Sequence, residues 1–383
     1  MPAIRSCIAE MENQRIGEVA RLALGDPDVI PLWFGESDLD TPAFIREAAK
    51  RALDEGHTRY VNKRGIAPLR AGIKAYMDRV YGLDLDPERV TVTGSGMTAI
   101  MIAVECLVGE GDNVVMISPI WPNIFYAVET MGGQCRHVRL QADATGWHLD
   151  LEALFAACDE RTRALFIASP SNPTGWLMSR EEQQAVLDFA RERGIWIIAD
   201  EVYHRLVYDR PVAPSFLQLA EPEDPIFAVH TFSKSWAMTG WRAGWMIHPA
   251  SLGDRIGDLS GINNTGATSF VQHAGIAAIE QGEDFIAEMV ERCRRGRDIV
   301  FQRLNALPRV HIDRPNAAFY SFFRVDGIED DLATAKALVT SHRIGLAPGT
   351  AFGPGNEGWF RLCFAQAEDR LVAAMDRLED AFA

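Results

Sequence analysis

Lys234 stands in Thr231-Phe232-Ser233-Lys234-Ser235-Trp236, at the end of an apolar run, with Phe232, Trp236, Met238 and Trp241 around it. Apolar flanks desolvate an amine, lower its pKa and make it a nucleophile toward carbonyls. A solvated loop lysine is the other reading of the same residues. Arg242 follows eight residues later, and either clamps a phosphate with paired N–H donors or closes a surface salt bridge. Asp200 ends Ile195-Trp196-Ile197-Ile198-Ala199-Asp200. A carboxylate there caps a turn or helix, or partners a buried cation. Tyr203 comes three residues on and either reaches the same ligand or packs in the core. Asn172 precedes Pro173 and is a turn former by type. Trp121 is core packing or a flat face for a ring. Gly94-Ser95-Gly96-Met97-Thr98-Ala99 fits the loose G-x-G-x-x-G/A pattern. A glycine turn of this kind opens a helix and aims backbone N–H groups at an anion, or is a tight turn and nothing more.

These residues gain meaning from the elements that carry them. Short β-branched, near-continuously apolar runs at Val90–Thr93, Asn113–Ser118, Arg163–Ser169, Ile195–Asp200 and Pro225–Phe232 alternate with amphipathic stretches near Thr98–Leu107, Asn123–Thr130 and Arg180–Arg193. Such runs predict strands buried on both faces of a mostly parallel sheet. Directly after the runs come Gly94–Thr98, Trp121, Asn172, then Asp200 with Tyr203, then Lys234 with Arg242. Open α/β sheets bind ligands outside the carboxyl ends of their strands, so all of these groups are expected at one edge.

One ligand makes them necessary together. An aromatic aldehyde bearing a phosphate needs a lysine to form the imine and an acid to keep its pyridine nitrogen protonated. It also needs donors to its phenolate oxygen, a ring stacker and an anion cradle. That ligand is pyridoxal 5'-phosphate. A nicotinamide dehydrogenase needs an acid at the end of the strand after the glycine turn, and Met116-Ile117-Ser118-Pro119 supplies none.

Composition narrows the classes. At 383 residues, 48% hydrophobic and 24% charged, the chain is an ordinary globular one, long enough to fold without disulfide or metal staples. Its length suggests two or three domains, or one large α/β domain with a smaller companion. Thirty-eight basic against 53 acidic residues give a net charge of −15, a field that repels a nucleic-acid backbone or an anionic membrane. None of the six cysteines lies in a C-x-x-C pair, and no apolar run reaches the length of a membrane helix. Reduced thiols and a cytoplasmic location are expected, with no metal.

In order along the chain, the sequence resembles the pyridoxal-phosphate-dependent aminotransferases of fold type I, the class I/II group around aspartate aminotransferase. The carriers are Gly35-Glu36-Ser37-Asp38-Leu39-Asp40-Thr41-Pro42, Tyr60 with Gly65-Ile66-Ala67-Pro68-Leu69-Arg70, and Ser169-Pro170-Ser171-Asn172-Pro173-Thr174-Gly175. They continue with Asp200-Glu201-Val202-Tyr203, Thr231-Phe232-Ser233-Lys234, Gly240-Trp241-Arg242 and Phe360-Arg361-Leu362. The resemblance implies that Lys234 holds the cofactor as an aldimine and then carries the substrate's α-proton. It implies that Asp200 pairs with the pyridine nitrogen, that Tyr203 and Asn172 bond the phenolic oxygen, and that Trp121 stacks on the ring. Gly96 and Met97 N–H groups, Ser95, Thr231 and Arg242 would hold the phosphate. Arg361, helped by the Gly35 backbone and Asn172, would bind the substrate α-carboxylate. Tyr60 would reach the phosphate of a neighbouring subunit, which implies a homodimer with shared sites.

Thr231 stands where serine is commoner, and Met97 where some members carry a polar side chain, so only its N–H serves. No second arginine for a distal carboxylate stands out. Arg59, Lys63 and Arg64 are candidates by proximity to Tyr60, while Trp33 and Phe34 fit an apolar amino acid equally well.

The expected architecture is α/β: a large domain with a mostly parallel, doubly wound sheet over residues 37–283, a smaller α+β domain over 284–383, and an N-terminal segment 1–36 packed on the latter. The expected activity moves an amino group between an L-amino acid and a 2-keto acid. A carbon–sulfur β-lyase on the same fold is the first alternative. A non-catalytic ligand-binding relative is the second; it would be expected to lack Lys234 or to carry a DNA-binding extension.

Overall fold

In the computed structural model, residues 4–143 and 146–383 are described. Among them the largest sheet runs in the order Val90–Thr93, Gly244–Ile247, Ile226–Thr231, Trp196–Asp200, Thr162–Ala168, Asn113–Ser118, Gln134–Arg139. Every neighbouring pair is parallel except the two that involve Gly244–Ile247. The fold is α/β with a mostly parallel central sheet. The five runs read as strands are strands, within a residue or two at their ends. Their side chains are buried almost without exception, because helices such as Gly96–Leu107 and Ser269–Gln281 supply apolar surface to the sheet.

Two strands of this sheet escape the apolar-run criterion for physical reasons. Gln134–Arg139 is an edge strand, half exposed, so Gln134, Arg136 and Arg139 can face water. Gly244–Ile247 opens on a glycine and follows the Thr239–Arg242 turn directly. It runs opposite to its neighbours, so its first residue lies beside the carboxyl ends of the others, with Gly244 opposite both Thr93 and Thr231. A Cβ on Gly244 would sit 2.7 Å from the backbone nitrogen of Gly96. Only glycine lets this strand approach the start of the helix that the glycine turn opens.

The C-terminal part builds a second, antiparallel sheet in the order Val310–Ile312, Tyr320–Val325, Trp359–Cys363, Ala347–Pro348. The long helix Glu283–Leu304 packs beneath it beside the terminal helix Glu368–Phe382. The apolar stretch Ala317–Phe323 starts pairing within this sheet only at Tyr320. Ala318 has φ 58°, a left-handed conformation that a strand cannot continue. The chain's early segment joins this part: Ile30–Pro31 pairs in parallel with Ile344–Gly345, and Glu18 bridges to Lys336 at 2.8 Å. No helix among the described residues is long and apolar enough to cross a membrane.

Candidate active site

The strand ends converge on a cavity of about 810 Å³, lined among others by Gly35, Gly96, Met97, Trp121, Asn172, Asp200, Tyr203, Thr231, Lys234, Arg242 and Arg361. At the end of Ile226–Thr231 the backbone turns because Ser233 N–H donates to Thr231 Oγ1 at 3.1 Å. That turn sends Lys234 inward. Its Nζ donates to the Gly35 carbonyl at 2.6 Å, with the rings of Tyr203 and Phe319 5.6 and 5.8 Å away. Burial among these groups pulls the amine down to about 8, so a usable fraction is the neutral nucleophile near pH 7–8.

Asp200 is the last residue of a fully buried strand stretch. Among the described residues its carboxylate accepts one hydrogen bond, from Val202 N at 3.4 Å. Burial pushes this carboxyl up to about 6, opposed by the Val202 N–H and the Lys234 charge. A buried acid so poorly supplied with donors is completed by a cation or a protonated ring nitrogen.

The anion end of the cavity is the helix Gly96–Leu107. Ser95 caps it, its Oγ accepting from Thr98 N at 2.9 Å. The N–H groups of Gly96 and Met97 lie in the first turn, where no intrahelical partner exists. Ser95 itself is turned to this cap and is not part of the cavity wall. Arg242 holds φ 54°, an uncommon conformation for a side chain of that size, and donates from Nη1 to Thr239 O at 2.7 Å.

Arg361 is only 3% exposed. Its Nη1 donates to Asn172 Oδ1 at 3.0 Å and its Nη2 to the Trp33 carbonyl. Nε is buried without a partner, and no carboxylate among the described residues pairs with this guanidinium. The rings of Tyr320 and Phe352 lie 4.6 and 4.9 Å from its central carbon. An uncompensated buried cation at the wall of a cavity is an anion receptor.

Tyr60 is not brought to this cavity; it is 89% exposed on the surface of its own chain. Of the cations near it in sequence, Arg64 is buried in bonds to Glu88 and Thr91, and Lys63 pairs with Asp258. Neither they nor Arg59 line the cavity.

Four contributions escaped the sequence reading. Tyr320 and Phe319 wall the lysine and arginine, the Trp33 carbonyl fixes Arg361, and residues 12–17 form part of the rim. Which residues of the apolar stretch Ala317–Phe323 face the site depends on the break at Ala318, and sequence alternation does not show that.

The family model for aminotransferase class I and II matches residues 27–378. The chain belongs to that family. This aminotransferase is 33% identical to the aspartate aminotransferase of Pyrococcus horikoshii over 97% of its own length and 95% of that relative's. It is 34% identical to the LL-diaminopimelate aminotransferase of Desulforudis audaxviator, over 92% and 90% respectively. The solved aspartate aminotransferase of Thermotoga maritima superposes with a TM-score of 0.91 at 32% identity, covering 99% of both chains.

The protein is therefore a transaminase of fold type I whose cofactor is pyridoxal 5'-phosphate and whose substrates are amino and keto acids. The donor set fits that cofactor on this chain's own terms. Free helix N–H groups, Arg242, an under-supplied buried carboxylate and a desolvated amine all line the one cavity.

Proposed function

We propose that Lys234 would hold the cofactor through its amine and that the same amine would take the proton from the substrate α-carbon and later return it. Asp200 keeps the ring nitrogen protonated. Tyr203 and Asn172 bond the phenolic oxygen, and Trp121 covers the ring. Gly96, Met97, Thr231 and Arg242 form the phosphate end, and Ser95 contributes only by capping the helix whose N–H groups face it. Bound pyridoxal phosphate supplies the electron sink that makes the α-proton removable. Arg361, with Asn172 and the Gly35 backbone, binds the substrate α-carboxylate. The single observation that carries this reading is the pairing, across one cavity, of a desolvated lysine amine with a buried arginine lacking a carboxylate partner.

We also propose a homodimer in which Tyr60 reaches the partner's phosphate. Its exposure on its own chain supports this, and sedimentation should give twice the 42.5 kDa chain mass. A monomer at working concentration would remove the shared site. A division into 1–36, 37–283 and 284–383 is supported by the change from the large to the small sheet and by the pairing of Ile30–Pro31 with Ile344–Gly345. Six free cysteines support a reducing, cytoplasmic location.

Beyond Arg361 the wall carries Trp33, Phe34, Phe125, Tyr126 and His137. Burial lowers the His137 pKa, keeping its ring neutral. Arg15 lines the same rim but already faces Glu12 at 3.7 Å, with Glu129 and Glu357 nearby on it. We therefore read the donor as an amino acid with a large uncharged side chain, since a distal carboxylate would meet rings and acids. A half-reaction screen, following loss of the bound cofactor's absorbance, tests this. Tyrosine, phenylalanine or leucine should convert with kcat/KM at least roughly tenfold above aspartate. Aspartate converting best would overturn the side-chain reading and direct attention to Arg59 beside Tyr60. Conversion by no amino acid would overturn the assignment of these residues as a transaminase site.

A further inference from the structure

Tyr320 opens the strand Tyr320–Val325 and is fully buried. Its hydroxyl lies 2.6 Å from that of Tyr203. Its ring carries the Arg361 guanidinium at 4.6 Å. It also explains why residue 35 is glycine, because a Cβ there would sit 1.9 Å from the Tyr320 hydroxyl. The Gly35 carbonyl is the acceptor for Lys234 Nζ. One phenol thus touches the tyrosine, the arginine and the backbone that surround the reacting groups.

The direction of the bond between the two hydroxyls can be argued. Burial raises both phenols well above their usual range, so both keep their protons. Among the described residues, Tyr203 is the one hydrogen-bond partner of the Tyr320 hydroxyl. If Tyr203 were the donor, the proton of the fully buried Tyr320 would be the one left without an acceptor, an unfavourable arrangement. With Tyr320 as donor, the proton left without a protein acceptor is that of Tyr203, the less buried of the two cavity-lining phenols at 4% against 0% exposed, where a ligand can accept it.

We propose that Tyr320 is a positioning residue for the transamination: its hydroxyl fixes the Tyr203 proton toward the cofactor's phenolic oxygen, and its ring sets the plane of Arg361 for the substrate carboxylate. The inference rests on the roles given above to Tyr203 and Arg361. Bonds in such a chain polarise one another, so a donor to Tyr203 makes Tyr203 a better donor in turn.

The test is a cycle of holoenzyme variants, read by the pH midpoint of the bound cofactor's absorbance change. A donor to the phenolic oxygen draws charge from it, so losing that donor lets the oxygen hold a neighbouring proton more tightly and raises the midpoint. Tyr203→Phe should raise it. Tyr320→Phe should raise it by less, on the order of 0.5 pH unit. The double variant should match Tyr203→Phe alone, because the Tyr320 hydroxyl acts only through Tyr203.

An unmoved midpoint in Tyr320→Phe, or a shift that persists in the Tyr203→Phe background, overturns the inference while leaving Tyr203's role intact. An unmoved midpoint in Tyr203→Phe overturns that role itself. For the ring, Tyr320→Phe should leave KM for the amino acid within roughly twofold, whereas Tyr320→Leu should raise it roughly three- to thirtyfold. An unchanged KM in Tyr320→Leu removes the ring's part.

Discussion

Replacing Lys234 with alanine is expected to lower turnover by roughly four orders of magnitude or more, with cofactor still bound by the remaining contacts. The size follows from one group doing two jobs. In the role proposed for it, its amine would hold the cofactor and the same nitrogen would move the α-proton, so no neighbour could compensate. In free energy this is at least about 5.5 kcal/mol of lost transition-state stabilisation, at 1.36 kcal/mol per factor of ten. The site prepares the amine by burial: it stands against the Gly35 carbonyl and its pKa is drawn down to about 8. Steady-state rates on the variant, together with equilibrium dialysis of the cofactor, check both halves. Turnover within tenfold of wild type would mean that another base moves the proton.

Asp200→Asn is expected to cost roughly two to three orders of magnitude in turnover, the range for removing one buried electrostatic stabiliser. An amide cannot hold a ring nitrogen protonated, so the α-carbanion loses its sink. The variant should nevertheless fold well. The carboxyl is raised from 3.8 to about 6 by burial. Between those values the unfolded chain has lost its proton and the folded chain has not, so the cofactor-free fold loses stability as pH rises through that window. The loss persists at neutral pH and is absent below 3.8, where both states hold the proton. Cofactor-free Asp200→Asn should therefore melt no lower than wild type at pH 7.5, and any advantage should vanish by about pH 4. Melting curves at the two pH values separate lost chemistry from lost folding. Wild-type turnover in this variant would remove the electron-sink role.

The sequence was most legible where local chemistry and the sheet's geometry coincide. Buried parallel strands demand apolar runs, and each run stops where its next residue can turn polar. For that reason Asp200, Lys234 and the Gly94–Thr98 turn were readable together as one edge. What stayed hidden was tertiary. Tyr320 meets Tyr203 across 117 residues of chain, and neither neighbourhood signals the other. Arg64 looked available beside Tyr60, yet Glu88 and Thr91 claim it inside the fold. Gln134–Arg139 hid because an edge strand need not be apolar, and Gly244–Ile247 because it follows the Thr239–Arg242 turn directly and opens on a glycine, so it read as part of the turn. The rim from residues 12–17 carries its meaning only in where the chain crosses the cavity.

The most direct test of the account is to trap the cofactor where it sits. Borohydride reduction of the holoenzyme, followed by proteolysis and peptide mapping, should find one pyridoxyl group per chain, on the lysine of Thr231-Phe232-Ser233-Lys234. An adduct on Lys63, Lys74 or any other lysine, or no adduct in a protein that still transaminates, would contradict the site described here.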